Sequence, residues 1–128
     1  MKLVAIYQVD LALFGHVHNN ERSCSVYQKE CMALPRKDKN GINTYDHSNY
    51  SAPVHAVIGM AGFTLDKFPN YESKSQISSL SYILCMHITH FGYLRGHAKK
   101  KELNLVSVNA DTKKVEDSFC IIKTQGSS

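Results

Sequence analysis

Residues 9–18 read Val-Asp-Leu-Ala-Leu-Phe-Gly-His-Val-His, an apolar run followed directly by two histidines. Residues 9–14 are nearly continuous in apolar character, with Asp10 as their only charge, which predicts a short buried β-strand. The run stops at Gly15, and His16 and His18 follow. Polar residues placed directly after a buried strand are typical of the active-site loops of α/β folds.

The two histidines have a spacing that suits metal binding. Where the backbone is extended, side chains at i and i+2 point the same way, so both imidazoles would reach one metal ion or two adjacent ions. Imidazole is the commonest nitrogen ligand for zinc and iron. Gly15 lets the backbone pass close to such a site without a Cβ clash. A bare His-x-His pair is more often two loop histidines without a ligand, so the pair by itself does not establish a site.

The remaining sequence predicts a chain that is mostly β. Seven tyrosines, five phenylalanines and no tryptophan favour a β-rich core. Strands are predicted at residues 54–60, 91–97, 102–108 and 115–122, the last two joined as a hairpin. A change of apolar parity within 102–108 predicts a β-bulge or a strand covered on both sides.

Three other segments are not clearly predicted as strands. Residues 19–50 are polar and are predicted to form a long irregular excursion with one hairpin. Residues 66–79 are predicted to be loop, and residues 82–88 fit either a strand or a short helix.

Composition excludes two classes of function. The net charge of +4 is mild, and the lysines are scattered apart from Lys99, Lys100 and Lys101, so without a nucleic-acid module no nucleic-acid partner is expected. No segment approaches the ~20 apolar residues of a membrane span. Residues 1–7 are apolar but lack a small-residue cleavage site, so no signal peptide is predicted.

The cysteines and one sequon favour a secretory parent protein. Cys24 and Cys31 are seven residues apart around a short predicted turn, which suits a local disulfide. With Cys85 and Cys120 the chain has four cysteines, which allow three full pairings, and spacing alone leaves the choice open. Asn49 begins the sequon Asn-Tyr-Ser and is a candidate for N-glycosylation.

Four segments, in order, resemble the purple acid phosphatases. Residues 10–22 resemble that family's last metal motif, a hydrophobic strand running into Gly-His-Val-His and then Glu-Arg. Residues 50–62, the Phe-Gly-Tyr-Leu-Arg of 91–95, and the segments 102–103 and 115–119 look like its following strands. The resemblance covers roughly residues 9–123, and four segments in order are far more specific than one His-x-His.

The resemblance implies an α+β, mostly β chain, the C-terminal part of an αββα metallophosphoesterase sandwich. Residues 1–128 would be a single partial domain, with the metal-motif strand and loop at 9–22 and the C-terminal strands at 50–123. By position, His16 matches a ligand of the divalent metal and His18 a ligand of the ferric iron. Glu21 and Arg22 match positions that hold the loop through charge-assisted hydrogen bonds. Cys24 and Cys31 match a family disulfide.

The family's chemistry implies the cofactors and partners of the whole enzyme. Its members hold Fe(III) with Zn(II), Mn(II) or Fe(II) and hydrolyse phosphate monoesters at acid pH. They are secreted or vacuolar glycoproteins, and some form homodimers. The expected function is therefore an acid phosphatase-type metallohydrolase, represented here by a C-terminal segment.

The sequence also departs from the family pattern. The upstream Gly-Asp, Gly-Asp-x-x-Tyr and Gly-Asn-His motifs, with the further ligands and the substrate histidine, do not occur, so an isolated chain is expected to be inactive. Asn20 replaces an aromatic residue, and residues 75–90 look like unrelated apolar filler.

Two alternatives stand beside the family function. One is a catalytically inactive, purely structural β-domain, and the other is a zinc site built from His16, His18, Cys24 and Cys31. A serine or cysteine nucleophile has no supporting motif.

Overall fold

The computed structural model describes residues 2–65 and 84–124, and the strands among these residues number ten and form two sheets. A five-residue helix, α1 (Lys2–Ile6), precedes them. The strands, in chain order, are β1 (Leu11–Phe14), β2 (Asn20–Tyr27), β3 (Glu30–Ala33), β4 (Arg36–Lys37), β5 (Asn43–Asp46), β6 (Val54–Ile58), β7 (Leu84–Ile88), β8 (Gly92–Lys99), β9 (Glu102–Asn109) and β10 (Val115–Ile122).

The first sheet is built around β2. One edge of β2 pairs with β6 in antiparallel fashion, and β6 pairs in parallel with β1. The other edge of β2 is shared, since its first half pairs with β7 and its second half with β3. The second sheet has the order β4-β5-β10-β9-β8, with β5 and β10 parallel and its other pairs antiparallel. Both sheets are therefore mixed.

The hydrophobic core lies between the two sheets. Val54 of the first sheet packs with residues of the second, and Leu11 of β1 covers the same cluster. The buried members of this cluster are Tyr45, Val54, Leu105, Phe119 and Ile121. Burial of such side chains contributes about 1.5–3 kcal/mol each. β1 is thereby anchored, and the histidines that follow it start from a fixed position.

The predicted C-terminal hairpin is confirmed, and its second strand contains a β-bulge. Val108 lies opposite Val115, but Ser107 lies opposite Asp117, so Glu116 is the extra residue of a β-bulge in β10. Leu105 and Ser107 on one face of β9 and Val108 on the other are all buried, so both faces of this strand are covered. Cover on both faces therefore accounts for the parity change in β9, while the bulge lies in the partner strand β10.

Two other predictions were wrong in part. Residues 19–50 are not an irregular excursion, because β2, β3, β4 and β5 occupy much of that stretch. Its polarity was misleading: the buried polar residues of β2 find hydrogen-bond partners across the sandwich. Residues 75–90 are not filler throughout, since β7 pairs with β2 over five of them.

The bounds of the other strands shift by a few residues. The predicted strands at 9–14, 54–60 and 91–97 are β1, β6 and β8. The prediction that the first of these is buried was wrong, because β1 pairs only with β6 among the described residues and Leu13 and Phe14 are exposed. The ambiguous segment at 82–88 is the strand β7 over residues 84–88. The predicted loop at 66–79 lies outside the described residues.

Candidate metal centre

Two consecutive tight turns place the histidines after β1. The Val17 N–H donates to the carbonyl of Gly15 at 3.0 Å, and the Asn19 N–H donates to the carbonyl of Val17 at 3.0 Å. Each bond spans three residues, so His16 and His18 are the central residues of successive γ-turns. His16 has a φ of 74°, a left-handed value that is rare for a residue with a side chain. The backbone is not extended here, so the expected i, i+2 alignment of the two side chains does not apply.

Gly59, just after β6, fixes the position of this loop. Its N–H donates to the carbonyl of Asn19 at 3.0 Å. A Cβ at Gly59 would lie 1.9 Å from the carbonyl oxygen of Val17 and 3.3 Å from the Cα of His18. Only glycine allows so close a contact between two backbones. The strained turns therefore rest directly on the end of β6.

Thr64 orients one of the two imidazoles. Its hydroxyl lies 2.9 Å from Nδ1 of His18, and the ring of Phe63 meets His18 edge-on at 5.7 Å. In metal sites a ligand histidine typically has its other ring nitrogen held by such a neighbour, which sets the ring orientation and tautomer. His16 is exposed to solvent and His18 is partly buried.

The donor set fits part of a metal site. Two imidazoles on one short, anchored loop are suitable nitrogen ligands for zinc or iron. Across residues 2–65 and 84–124, no three His, Cys, Asp or Glu side chains lie close enough together to hold an ion. The remaining donors of a dinuclear centre would have to come from residues other than these.

Glu21 contacts the end of the histidine loop. Its carboxylate accepts a hydrogen bond from Nδ2 of Asn19 at 2.6 Å and lies 3.8 Å from Nε2 of His87. Asn19 and Glu21 thus tie the loop to the start of β2. That Glu21 holds the loop for a metal site stays a prediction.

Arg22 serves the interior of the sandwich instead. Its side chain is 1% exposed and donates two hydrogen bonds to the carboxylate of Asp117, both of 2.9 Å, and one to the hydroxyl of Tyr45 at 2.7 Å. The guanidinium carbon lies 4.9 Å from the ring centre of Phe119. Asp117, Tyr45 and Phe119 belong to the second sheet, so Arg22 joins the two sheets.

The electrostatics of this cluster keep Arg22 charged and Tyr45 neutral. Burial lowers the pKa of Arg22, but its hydrogen bonds and attraction to Asp117 and Tyr45 outweigh burial, so the pKa is raised. Burial also raises the pKa of Tyr45. As a neutral phenol, Tyr45 accepts from Arg22 and donates to the carbonyl of Ser23 at 2.6 Å.

Asn20 adds a second polar link between the sheets. Its side-chain amide donates to the hydroxyl of Ser107 at 2.8 Å, and both residues are buried. Asn20, which replaces an aromatic residue of the family motif, therefore contributes a buried hydrogen bond between the sheets.

Cys24 and Cys31 form a disulfide that joins β2 to β3, with Cα atoms 5.9 Å apart. Their sulfurs are bonded to each other, so the alternative zinc site with His16 and His18 is not formed. Cys85 is partly buried and Cys120 is buried, and both are free thiols whose pKa is raised by burial.

Asn49 lies away from the histidine loop, exposed in the segment between β5 and β6. The hydroxyl of its neighbour Tyr50 donates to the carbonyl of Val9 at 3.0 Å and fixes that segment. The sequon therefore presents Asn49 to solvent.

Gly59 and Thr64 are the contributors that the sequence prediction missed. A glycine at the end of a strand is a signal for close backbone approach and marks Gly59. Thr64 gives no comparable signal, because its contact with His18 bridges forty-six positions.

A family model described as "Iron/zinc purple acid phosphatase-like protein C" matches residues 52–118, just over half of the chain. This chain belongs to the purple acid phosphatase family. The matched region contains Gly59 and Thr64 but begins after the histidine loop.

Curated relatives and a solved structure agree with that membership. The chain is 37% identical over 76 residues to a probable inactive purple acid phosphatase 27 of Arabidopsis thaliana, which covers 59% of this chain and 11% of the relative. It is 36% identical over 67 residues to a nucleotide pyrophosphatase/phosphodiesterase of Hordeum vulgare, 52% of this chain and 16% of the relative.

The purple acid phosphatase PPD1 from seeds of yellow lupin has a similar fold. The TM-score is 0.73 at 30% identity, covering 94% of this chain and 19% of the lupin chain. The likeness confirms the predicted fold class. The chain thus spans less than a fifth of the length of each of these three proteins.

Proposed function

We propose that the chain contributes His16 and His18 to a dinuclear metal centre of a longer purple acid phosphatase that hydrolyses phosphate monoesters. The observation that carries this proposal is the anchored histidine loop. Gly59 holds the backbone of the loop and Thr64 holds the His18 imidazole. His16 has a left-handed φ of 74°, and backbone strain of this kind is found where function requires a fixed geometry.

The residues of this chain would bind and orient, and the cofactors would supply the reactive chemistry. When bound, two metal cations would neutralise the phosphate and activate water as the nucleophile. Fe(III) with Zn(II), Mn(II) or Fe(II) is the pair that family membership suggests. His18, held through Nδ1 by Thr64, would present its ring in one orientation. Glu21 would keep the loop attached to β2 through Asn19.

The parent protein would be a secreted or vacuolar glycoprotein acting on a phosphate ester, with a homodimer as its possible assembly. The exposed sequon at Asn49 and the disulfide between Cys24 and Cys31 support an oxidising compartment. In the described part of the chain, no helix has the length and apolar character that crossing a membrane requires.

A second candidate is a chain without catalytic activity that serves a structural role. Two observations favour it: several relatives are named probable inactive purple acid phosphatases, and the described residues bring no third metal donor to the two histidines. The two proposals are compatible if the missing donors lie in other parts of a longer protein.

Hydrolysis of p-nitrophenyl phosphate by the purified 128-residue chain tests whether the chain is catalytically active by itself. The assay is run at acid pH with added iron and zinc, against a His16→Ala/His18→Ala control. We expect no turnover above that of the control, because two imidazoles do not hold a dinuclear centre. Turnover above the control would show that the chain is an enzyme by itself and would overturn the proposal of an incomplete site.

A further inference from the structure

Three polar side chains far apart in sequence form a hydrogen-bonded chain away from the histidine loop. Nδ1 of His47 lies 2.9 Å from Oδ1 of Asp10, and Nε2 of His47 lies 3.2 Å from Oγ of Ser25. A carboxylate only accepts hydrogen bonds, so Nδ1 carries a proton, and when the ring holds no second proton Nε2 accepts from the serine hydroxyl. This is the arrangement of a nucleophile, a general base and an orienting carboxylate.

The neighbouring structure holds each member in place. The second carboxylate oxygen of Asp10 lies 2.9 Å from Nζ of Lys123. The backbone N–H of His47 donates to the carbonyl of Ile122 at 2.8 Å, and the ring of Tyr50 meets its imidazole edge-on at 5.6 Å. His47 is 3% exposed, so its ring has little freedom to turn.

Ser25 lies at an irregular point of β2. The pairing of β2 shifts at this residue against both β6 and β3. Irregularities of this kind re-aim a side chain and are over-represented beside active sites.

The serine and the histidine line an open cavity of about 470 Å³. Ala33, Leu34 and Ile122 give the cavity an apolar wall. Its charged lining residues balance, two cationic and two anionic: Arg36, Lys37, Asp38 and Asp46. A cavity of this size and balance suits a small, uncharged ligand with an apolar group.

We propose that Ser25, His47 and Asp10 form a nucleophilic site that cleaves small, uncharged carboxylic esters. Oγ of Ser25 would bond to the ester carbonyl carbon while its proton moves to Nε2 of His47. The carbon–oxygen bond to the alcohol would then break, and the alcohol would leave with that proton. Water would release the acid in a second step, with its proton taken by His47 and the serine restored. Asp10 would hold the imidazole in the required tautomer.

The site needs no metal, so its test is independent of the proposed phosphatase role. The full 128-residue chain is treated with a fluorophosphonate probe in the presence of a metal chelator, and the labelled residue is identified by mass spectrometry. The probe forms an Oγ–P bond as its P–F bond breaks. We expect one adduct, on Ser25, at the same rate in the His16→Ala/His18→Ala variant.

Variants make the test specific. His47→Gln is expected to slow labelling about 100-fold, the usual scale of general-base assistance. Ser23→Ala is the matched control, since Ser23 is also buried and its hydroxyl donates to the carbonyl of Cys24 at 2.6 Å. Circular dichroism checks that each variant retains its β-structure.

Labelling at Ser25 that persists in Ser23→Ala and slows in His47→Gln supports the site. If His47→Gln does not fold, hydrolysis of p-nitrophenyl acetate by the unaltered chain and by Ser25→Ala decides instead, with a loss of turnover expected in the variant. A folded chain that stays unlabelled, or labelling that Ser25→Ala does not abolish, would overturn the proposal.

Discussion

Arg22 brings a positive charge into the space between the two sheets, where it is held by Asp117 and Tyr45. Leaving one partner of a buried ion pair without the other lowers stability by about 3–5 kcal/mol, because the remaining charge is uncompensated. Arg22→Met is therefore expected to lower the free energy of unfolding by about that amount. Urea denaturation followed by circular dichroism measures the change.

The exposed Arg95 provides a matched control for this prediction. Arg95→Met removes the same kind of side chain from the surface of β8 and should change stability by less than about 0.5 kcal/mol. A double change, Arg22→Met with Asp117→Leu, should recover part of the loss because no lone carboxylate remains. Equal effects of Arg22→Met and Arg95→Met would contradict the role assigned to Arg22.

Burial of His55 is expected to make the stability of the fold depend on pH. It lies in β6 against the ring of Phe14, and burial lowers its pKa from the ordinary value of 6.5. Its Nε2 is buried and has no hydrogen-bond partner among the described residues. The His55 imidazole binds a proton more readily in the unfolded chain than in the folded one. The contribution of His55 to folding stability is therefore complete above pH 6.5 and is lost as the pH falls towards the lowered pKa.

A His55→Leu variant should therefore lose less stability than the unaltered chain on going from pH 7 to about pH 5. Thermal unfolding at a series of pH values measures the slope. His97→Leu is the control, since His97 is an exposed residue of β8. A slope that is unchanged by His55→Leu would show that burial of this imidazole does not control the acid response.

At the scale of elements, the contact between β6 and the histidine loop is the most demanding feature. Gly59→Ala would place a methyl group 1.9 Å from the carbonyl oxygen of Val17, so the loop or the end of β6 must move. We expect a loss of about 1–3 kcal/mol in unfolding free energy. The imidazole signals of His16 and His18 in NMR spectra should shift with it.

Gly96 offers a control within β8, because a Cβ there meets only the flexible end of Leu105 at 3.8 Å. Gly96→Ala should leave the histidine signals in place. Unchanged signals of His16 and His18 in Gly59→Ala would mean that β6 does not position the loop.

The same scale explains what the sequence could predict. β9 and β10 are found because their residues are β-rich and a polar turn separates them. β2 was missed because its buried residues include Asn20, Arg22 and Ser25, whose partners lie across the sandwich and leave no local pattern.

The candidate site could likewise be predicted from the sequence only in part. The histidine pair is visible as a motif directly after an apolar strand. The turns that centre on His16 and His18 are not visible, because they depend on hydrogen bonds and on the contact with Gly59. The chain formed by Ser25, His47 and Asp10 has no fixed spacing and appears only when the two sheets are brought together.

At the scale of the whole molecule, two mixed sheets enclose a core in which apolar side chains pack directly beside a hydrogen-bonded cluster. Phe119 belongs to both, since it packs with Val54 and its ring lies 4.9 Å from the guanidinium carbon of Arg22. This frame carries the histidine loop on β1 and braces it from β6. The fold therefore fixes the loop that carries the two histidines, which supports the proposal that they contribute to a metal centre.

Metal binding by the 128-residue chain tests that claim most directly. Titration with Zn(II), followed by calorimetry, should give one weak site that disappears in His16→Ala/His18→Ala and persists in a His90→Ala/His97→Ala control. Thr64→Val should weaken binding about tenfold, as loss of an orienting partner does. Zinc binding that is equally strong with and without His16 and His18 would contradict the account.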